Sequence, residues 1–213
     1  MIKRTVSAAL LATSLMTPAF AQEGELSFFI TSEGPGDGAN LGGLEGADAH
    51  CQMLAENVGS EGRVWRAYLS TQVPGGRGIS ARDRIGDGPW YNSKGELIAQ
   101  NIDELHILPN IYTSTALTEQ GEQVRHRGGE LPVEHDILTG SQVDGTSFPP
   151  RVTSDMTCSN WTSNGEGSAM VGHHDRNGGG SVSWNASHPS RGCGAEDLRT
   201  TGGNGYFYCF AAD

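Results

Sequence analysis

The sequence has few basic residues and no long internal hydrophobic run. Lysine and arginine together number 14 against 25 aspartates and glutamates, and the formal charge at pH 7 is −11. A negative surface repels polyanions, so this balance disfavours nucleic acid, heparin-like polyanions and anionic membranes as partners. After residue 21, no segment approaches the roughly 20 apolar residues that span a bilayer. We therefore expect no transmembrane span in the remaining chain.

The common catalytic signatures are also missing. The sequence contains no G-x-S-x-G, no H-E-x-x-H and no C-x-x-C, so it indicates neither a serine hydrolase nor a zincin nor a redox dithiol. We assign no catalytic residue and predict a protein that is not an enzyme. The four cysteines predict two disulfides in an exported chain, with three pairings open.

The first residues have the pattern of a secretory signal peptide. Lys3 and Arg4 precede an apolar run over 6–16, and Ala19-Phe20-Ala21 is a small-x-small cleavage site. We predict a signal peptide over 1–21, with cleavage after Ala21 and export to the periplasm or the medium. Residues 22–213 then form one domain, since their number suits a single core.

Hydrophobic periodicity predicts an α+β fold. Alternation with a period of two indicates strands near 26–30, 64–69, 137–143 and 205–211. Apolar residues three or four apart over 44–58 indicate an amphipathic helix that buries Cys51. Asn101 with Glu104 resembles a capping box and predicts a second helix. The expected sheet is mixed and mostly antiparallel, with two helices.

The segment from Cys158 to Cys209 stands apart from the rest of the chain. It holds three of the four cysteines and is otherwise rich in glycine, serine and asparagine. A connection of this length is usually functional or disordered, and cross-linking by cysteines argues against disorder. We interpret residues 159–205 as a long loop region framed by a disulfide, which presents a binding surface.

Two kinds of site are candidates within this segment. His173, His174 and Asp175, with His188 further on, offer imidazole and carboxylate ligands for zinc or a similar ion. Neighbours in an extended segment point to opposite faces, so His173 and His174 cannot both chelate without a bend. We favour the alternative that these are surface histidines in a polar loop.

Trp161 and Trp184 could stack on a sugar ring, although packing in the core is the interpretation that we favour. Glu196 and Asp197, together with Asn185, are the best oxygen ligands for calcium in this segment. No acidic group has EF-hand spacing. The sequence thus predicts no certain cofactor, with calcium and zinc as the ions to consider.

The order of these features resembles the endostatin domain, a branch of the C-type-lectin-like fold. The stretch "GLEGADAHCQMLAENVGSEGRVWRAYLST" at 43–71 is similar to the opening of that domain, and the similarity continues through "ARDRIGDGPWYNSKGELIA" at 81–99. It ends with Cys158, Trp161, Ser183-Trp184, Cys193 and Tyr208-Cys209. The matches are in order and cover nearly the whole chain after the signal peptide.

The resemblance implies an endostatin-like fold and the disulfide pairs Cys51–Cys209 and Cys158–Cys193. It does not carry over the family's metal sites. The zinc site of the collagen-derived domain uses histidines at its N-terminus, and no histidine precedes His50. Calcium-binding lectins have a W-N-D strand and an E-P-N or Q-P-D loop, whereas Ala186 follows Trp184-Asn185 and neither loop motif occurs.

From these features we predict an exported, lectin-like binding protein that recognises a glycan or an extracellular protein through the 159–205 surface. One alternative is a metal-dependent hydrolase that uses His173, His174 and Asp175. Another is a structural or adhesive module of the envelope without a small ligand.

Overall fold

The computed structural model describes residues 24–178 and 181–213, so the predicted signal peptide over 1–21 lies outside the described residues. Within the described part, the chain forms four helices: α1 (Gly43–Asn57), α2 (Ile102–Ile107), α3 (Cys158–Trp161) and α4 (Ala195–Thr201). It also forms the strands β1 (Phe28–Ile30), β2 (Trp65–Ala67), β3 (Trp90–Tyr91), β4 (Leu97–Ala99), β5 (Asp136–Leu138), β6 (Met170–His173), β7 (His188–Pro189) and β8 (Gly203–Ala211). The α+β class is therefore confirmed.

The main sheet is organised around its longest strand, β8. Its order is β1-β8-β5-β6-β7, and β2 also pairs with β8. The pairing of β5 with β8 is parallel, and the other pairings in this sheet are antiparallel. Strands β3 and β4 form a separate antiparallel ribbon. The short strand β7 lies at one edge of the sheet.

Both faces of β8 are buried, as its alternating sequence predicts. Phe207 and Cys209 belong to one hydrophobic cluster, which also contains the buried side of α1. Tyr208 and Phe210 belong to a second cluster, together with Trp90 of the ribbon. A central strand that is covered on both sides fixes its register strongly, because a slip of one residue would exchange the two sets of side chains.

Helix α1 is attached to the sheet by a disulfide and by an ion pair. Cys51 bonds to Cys209 of β8. One turn away, the Asp48 carboxylate accepts a hydrogen bond from the backbone nitrogen of Ala67 at 2.9 Å and from Arg84 Nη2 at 2.7 Å. Arg66 approaches the same carboxylate at 2.9 Å. The first two contacts are largely buried, so α1, β2 and the turn that holds Arg84 behave as one unit.

The predicted second helix is present, and its cap is formed by the residue that the sequence indicates. The Asn101 side chain accepts hydrogen bonds from the backbone nitrogens of Asp103 and Glu104 at the start of α2. This satisfies two of the amide groups that a helix N-terminus leaves without a partner.

The segment 158–209, predicted to be mostly a long loop region, contains regular structure. Helices α3 and α4 lie in it, together with β6 and β7. Helix α3 is a single turn with left-handed backbone angles, φ between 48° and 69° over its four residues. The second disulfide, Cys158–Cys193, joins α3 to the residues before α4. Both disulfides of the structure are the pairs that the resemblance implies.

None of the helices in the described part of the chain is long and apolar enough to cross a membrane.

Candidate metal centre

Three histidines and an aspartate meet where β5, β6 and β7 end. In the antiparallel ladder of β5 and β6, Asp136 lies directly opposite His173. Residues opposite each other in such a ladder carry their side chains on the same face. In the ladder of β6 and β7, His188 pairs with Val171, which is two residues from His173 and therefore on the same face. His135 immediately precedes β5 and completes the group.

The ligand atoms of three of these side chains, His135, Asp136 and His173, all lie within 4.8 Å of one another, and His188 lies beside them. Around Asp136 Oδ1, the Nε2 atoms of His135, His173 and His188 lie at 3.3, 3.2 and 3.5 Å. The Nε2 atoms of His173 and His188 are 3.0 Å apart. With metal–ligand bonds of about 2.1 Å, neighbouring ligand atoms lie roughly 3.4 Å apart in a tetrahedral site and roughly 3.0 Å apart in an octahedral one. The spacings of 3.0, 3.2 and 3.3 Å fall in this range, and the 3.5 Å between His188 Nε2 and Asp136 Oδ1 lies just above it.

The other ring nitrogens explain why the Nε2 atoms can act as ligands. His135 Nδ1 lies 3.0 Å from Asp175 Oδ2, and His188 Nδ1 lies 3.0 Å from the carbonyl oxygen of Pro189. Both partners are acceptors, so each Nδ1 can donate a proton to its partner, and each Nε2 lone pair would then be available to an ion. A ligating histidine in proteins usually donates its other N–H to a carboxylate or carbonyl oxygen in this way.

Asp175 is built to orient His135. Its carboxylate also accepts hydrogen bonds from the backbone nitrogens of Arg127 at 2.8 Å and Asn177 at 3.0 Å. Burial would raise the pKa of Asp175, but the bonds from His135, Arg127 and Asn177 outweigh it and hold the pKa well below the usual range. Asp175 therefore remains a charged acceptor for the His135 Nδ1 proton.

Asp136 has an unusual environment for a buried carboxylate. Its exposed fraction is 2%, yet neither of its oxygens has a hydrogen bond of normal geometry to a described residue. Burial would raise the pKa of Asp136, and the nearby His173 and His188 outweigh that effect and lower it. An ionised, buried carboxylate costs several kcal/mol unless donors or a cation compensate it. The three imidazoles that face Asp136 would be the other ligands of such a cation.

Two glycines bring the main chain close to the imidazole rings. Gly202 follows α4 with φ of 109°, and a Cβ at this position would lie 3.3 Å from His135 Nε2. Gly178 lies against the other side of the site, where a Cβ would lie 2.8 Å from His173 Cε1. Glycine at both places lets the main chain approach the imidazole rings closely. Among the described residues, His135, Asp136 and His173 form the one group of three or more potential ligands whose ligand atoms all lie within 4.8 Å of one another.

His173, His174 and Asp175, the residues predicted for a metal site, do not lie together in the structure. His173 lies in the cluster, with its Nε2 beside Asp136. Asp175 lies outside the cluster and forms a hydrogen bond with His135, which belongs to it. His174 points to the opposite side of β6, where its Nε2 lies 3.4 Å from the carbonyl oxygen of Arg125. Burial lowers the pKa of His174 to about 4, so this ring is neutral at pH 7. The opposite directions of His173 and His174 follow from the alternation of an extended strand.

Two of the four candidate ligands, His135 and Asp136, were not predicted from the sequence. They are adjacent in the stretch "VEHDIL", just before the strand predicted over 137–143. An imidazole and a carboxylate beside each other at the end of a strand could have indicated a metal site. What the sequence does not reveal is that this strand pairs with the one that carries His173.

The tryptophans proposed for sugar stacking lie in the core. Trp161 is fully buried and donates its Nε1 hydrogen to the carbonyl oxygen of Ser70 at 2.8 Å. Trp184 has an exposed fraction of 3% and packs against the rings of Tyr68 and Tyr208. A sugar could reach neither ring without opening the core, which agrees with the packing interpretation.

The three residues considered for calcium have separate roles. Asn185 is fully buried, and its amide nitrogen donates to Tyr68 Oη at 3.0 Å and to the carbonyl oxygens of Gln142 and Val143. Glu196 and Asp197 lie in the first turn of α4, where acidic groups interact favourably with the helix dipole. These contacts give each residue a structural explanation without an ion.

Comparison with known proteins adds no identity to this geometry. No protein-family model matches the chain, and no curated protein is significantly similar to it. The arrangement of His135, Asp136, His173 and His188 around one point is therefore the observation on which a functional assignment has to rest.

Proposed function

We propose that this chain is an exported, lectin-like binding protein that holds one divalent transition-metal ion at His135, Asp136, His173 and His188. The observation that carries the metal site is the convergence of three Nε2 atoms on Asp136 Oδ1 at 3.2–3.5 Å. No described donor satisfies that oxygen. An ion at this point compensates the buried charge and uses all four lone pairs.

The donor set favours zinc over calcium. Three imidazole nitrogens and one carboxylate oxygen suit zinc and its neighbours in the transition series, whereas calcium takes six to eight oxygen ligands. Copper and nickel also accept imidazole, and proteins select among these ions by geometry and availability. We therefore take zinc as the reference ion.

The lectin-like part of the proposal rests on the resemblance of the sequence and on two features that agree with it. Helix α1 is joined to the last strand by Cys51–Cys209, and Cys158–Cys193 frames the segment that carries the metal ligands His173 and His188. The proposal of export rests on the signal-peptide pattern, and two disulfides suit an oxidising compartment. A glycan or an extracellular protein remains the proposed ligand.

Calorimetric titration of chelator-treated protein with zinc tests the metal site. We expect one ion per chain. Removing one ligand, as in His173→Ala, should weaken binding by roughly a hundredfold, because the binding free energy of about 10–16 kcal/mol for structural zinc is shared among four ligands. His126→Ala is the matched control, since the one hydrogen bond of the His126 ring to a described residue is to the carbonyl oxygen of Arg127. Equal zinc affinity in both variants, or no binding to the wild type, would contradict the assignment.

The hydrolase alternative has one structural feature in its favour. The His188 side chain is 34% exposed, whereas the other three ligands are almost fully buried, so the site opens to solvent on one side. Catalytic zinc sites have three protein ligands and an open position. Turnover of an ester or phosphodiester that stops on chelation and returns with zinc would establish this activity. A structural or adhesive module would bind an envelope partner without turnover.

A further inference from the structure

A cavity lies between the segment 72–75 and the segment 148–160, and none of the proposed metal ligands lines it. We infer that this cavity is a binding site for an uncharged sugar ring, and that binding there does not require a metal ion. The inference rests on the lectin-like part of the proposed function, because it names the class of glycan and the place where the glycan binds.

The cavity is small and its walls are held together. Its volume is about 340 Å³, near the lower end of the range of about 300–1,000 Å³ for small-molecule sites. The Gln72 backbone nitrogen donates to Asn160 Oδ1 at 2.7 Å, and Asn160 Nδ2 donates to the carbonyl oxygen of Gln72 at 3.0 Å. Gln72 Oε1 accepts from the backbone nitrogen of Met156 at 2.6 Å. A site that is ordered before the ligand arrives loses less entropy on binding.

The lining combines apolar surface with hydroxyl groups. Phe148 and Pro149 are half-buried and contribute apolar surface. Thr153, Ser154 and Ser159 are exposed residues of the lining, and no described residue forms a hydrogen bond with their hydroxyl groups. A sugar ring has C–H groups on its faces and hydroxyl groups around its edge, so it needs both kinds of contact.

The charge of the lining favours a neutral ligand. No lysine, arginine or histidine lines the cavity, and Asp155 is the one charged residue of the lining. The Asp155 carboxylate accepts hydrogen bonds from the backbone nitrogens of Thr157 at 2.9 Å and Ser159 at 2.7 Å. A carboxylate or phosphate group of a ligand would find no cation in the lining to compensate it, and Asp155 would repel it.

Two residues of the lining have a strained backbone. Ser159 and Asn160 have φ of 54° and 56°, in the left-handed region, although neither is glycine. Residues held in this way occur preferentially at functional sites, where the surrounding structure keeps them in place. Glycine would adopt the same angles without strain. The strain at Ser159 and Asn160 therefore coincides with the cavity, and a side chain is kept at an exposed position where the backbone alone would favour glycine.

Titration of isotopically labelled protein, followed by the amide signals in NMR spectra, tests the inference. The probes are methyl glucoside, methyl galactoside and methyl mannoside, each paired with the corresponding free uronate as its charged match, and chelator is present throughout. We expect saturable shifts confined to residues 72–75 and 148–160 with a neutral sugar. The matching uronate should bind about tenfold more weakly, because Asp155 repels it.

Two variants locate the site. Ser159→Gly should weaken binding about fivefold through the loss of a hydroxyl group, although the protein itself becomes more stable. A gain in stability together with a loss of affinity distinguishes a binding role of Ser159 from a structural one. Ser154→Ala should weaken binding by a similar factor. Ser114→Ala, at an exposed serine outside the cavity, is its matched control and should leave binding unchanged.

The outcomes separate the inference from the function on which it rests. Sugar binding that shifts other amides and is equal in Ser154→Ala and Ser114→Ala overturns this site and leaves the lectin-like proposal standing. No response to any neutral sugar overturns the inference, while zinc titration still decides the metal site. Sugar binding that appears only when zinc replaces the chelator overturns the metal-independent site. Equal affinity for a neutral sugar and its uronate overturns the argument from charge.

Discussion

At the scale of single residues, the proposed metal centre depends on side chains that would not touch the ion. Asp175 fixes the proton of His135 on Nδ1 and is itself held by two backbone nitrogens. The carbonyl oxygen of Pro189 does the same for His188. These partners set which nitrogen is free to ligate, so their effect on metal affinity can be measured separately from that of the ligands.

Asp175→Asn should lower the zinc affinity about 10- to 100-fold while one ion per chain still binds, the range typical for the loss of an outer-shell carboxylate. The amide keeps the size of the side chain and removes its charge. Asp144→Asn is the matched control, because among the described residues the Asp144 carboxylate accepts hydrogen bonds from Thr146 alone. Competition with a chromogenic chelator gives the affinities, and equal values for the two variants would contradict the role of Asp175.

A second residue-scale prediction concerns His106, which is outside the metal centre. Asn185 donates to Tyr68 Oη, and Tyr68 Oη lies 2.7 Å from His106 Nε2, whose ring bonds through Nδ1 to the carbonyl oxygen of Ile102. The Tyr68 hydroxyl therefore donates to an unprotonated Nε2. Burial lowers the pKa of His106.

The sign of the pH effect follows from this lowered pKa. The unfolded chain takes up a proton at His106 near pH 6.5, before the folded protein does, so the free energy of unfolding decreases as pH falls below about 6.5. We expect the wild type to lose more stability between pH 7.5 and 5 than His106→Gln. Urea denaturation with chelator present measures this, with His50→Gln as the control. Parallel curves for wild type and His106→Gln would contradict the prediction.

At the scale of elements, α3 is the least ordinary part of the chain. Its four residues, none of them glycine, have left-handed backbone angles, which cost roughly 1–2 kcal/mol each for L-residues. Contacts from outside the turn hold it: Asp155 Oδ2 accepts from the Ser159 backbone nitrogen at 2.7 Å, and Asn160 Oδ1 accepts from the Gln72 backbone nitrogen at 2.7 Å. Tertiary contacts rather than local propensity thus create this element.

Ser159→Gly should therefore stabilise the protein, by up to about 1 kcal/mol, because glycine adopts this conformation without the steric penalty and only part of the gain is lost to chain entropy. Ser159 is exposed, so packing changes little. Ser154→Gly, at an exposed serine without positive φ, should cost about 0.5–1 kcal/mol instead. Chemical denaturation compares the two, and destabilisation by both would contradict the strain at Ser159.

The same elements show what the sequence could predict. Helix α1 and strand β8 were predictable because their hydrophobic periods agree with the faces that they bury. Helix α3 was not, because a left-handed turn has no repeating pattern and depends on Gln72 and Asp155. The proposed metal centre was predictable in part: His173 and His188 lie in a segment of unusual composition, whereas His135 and Asp136 join them only through strand pairing.

At the scale of the whole molecule, two nested disulfides hold the fold together. Cys51–Cys209 connects residues 158 apart in sequence, and Cys158–Cys193 connects residues 35 apart. Loop-closure entropy gives about 5 kcal/mol for the longer connection and about 4 kcal/mol for the shorter one, as model-dependent upper values. Both exceed the contribution of a typical hydrogen bond.

Reduction of the folded protein with a phosphine should lower the free energy of unfolding by several kcal/mol. Removing the inner pair alone, as Cys158→Ala with Cys193→Ala, should also weaken zinc binding, because His173 and His188 both lie within the loop that this bond closes. Denaturation and zinc titration of the same samples check both effects. A melting temperature that does not change on reduction would contradict the stabilising role of the disulfides.

The order Cys158, His173, His188, Cys193 along the chain has one more consequence. A single cut of the backbone between the two histidines leaves the two pieces joined by the Cys158–Cys193 bond, which lies outside the cut. Trp184 and Asn185 of the same stretch are buried in the core, so a nicked chain would keep both a covalent connection and the packing that positions the two histidines.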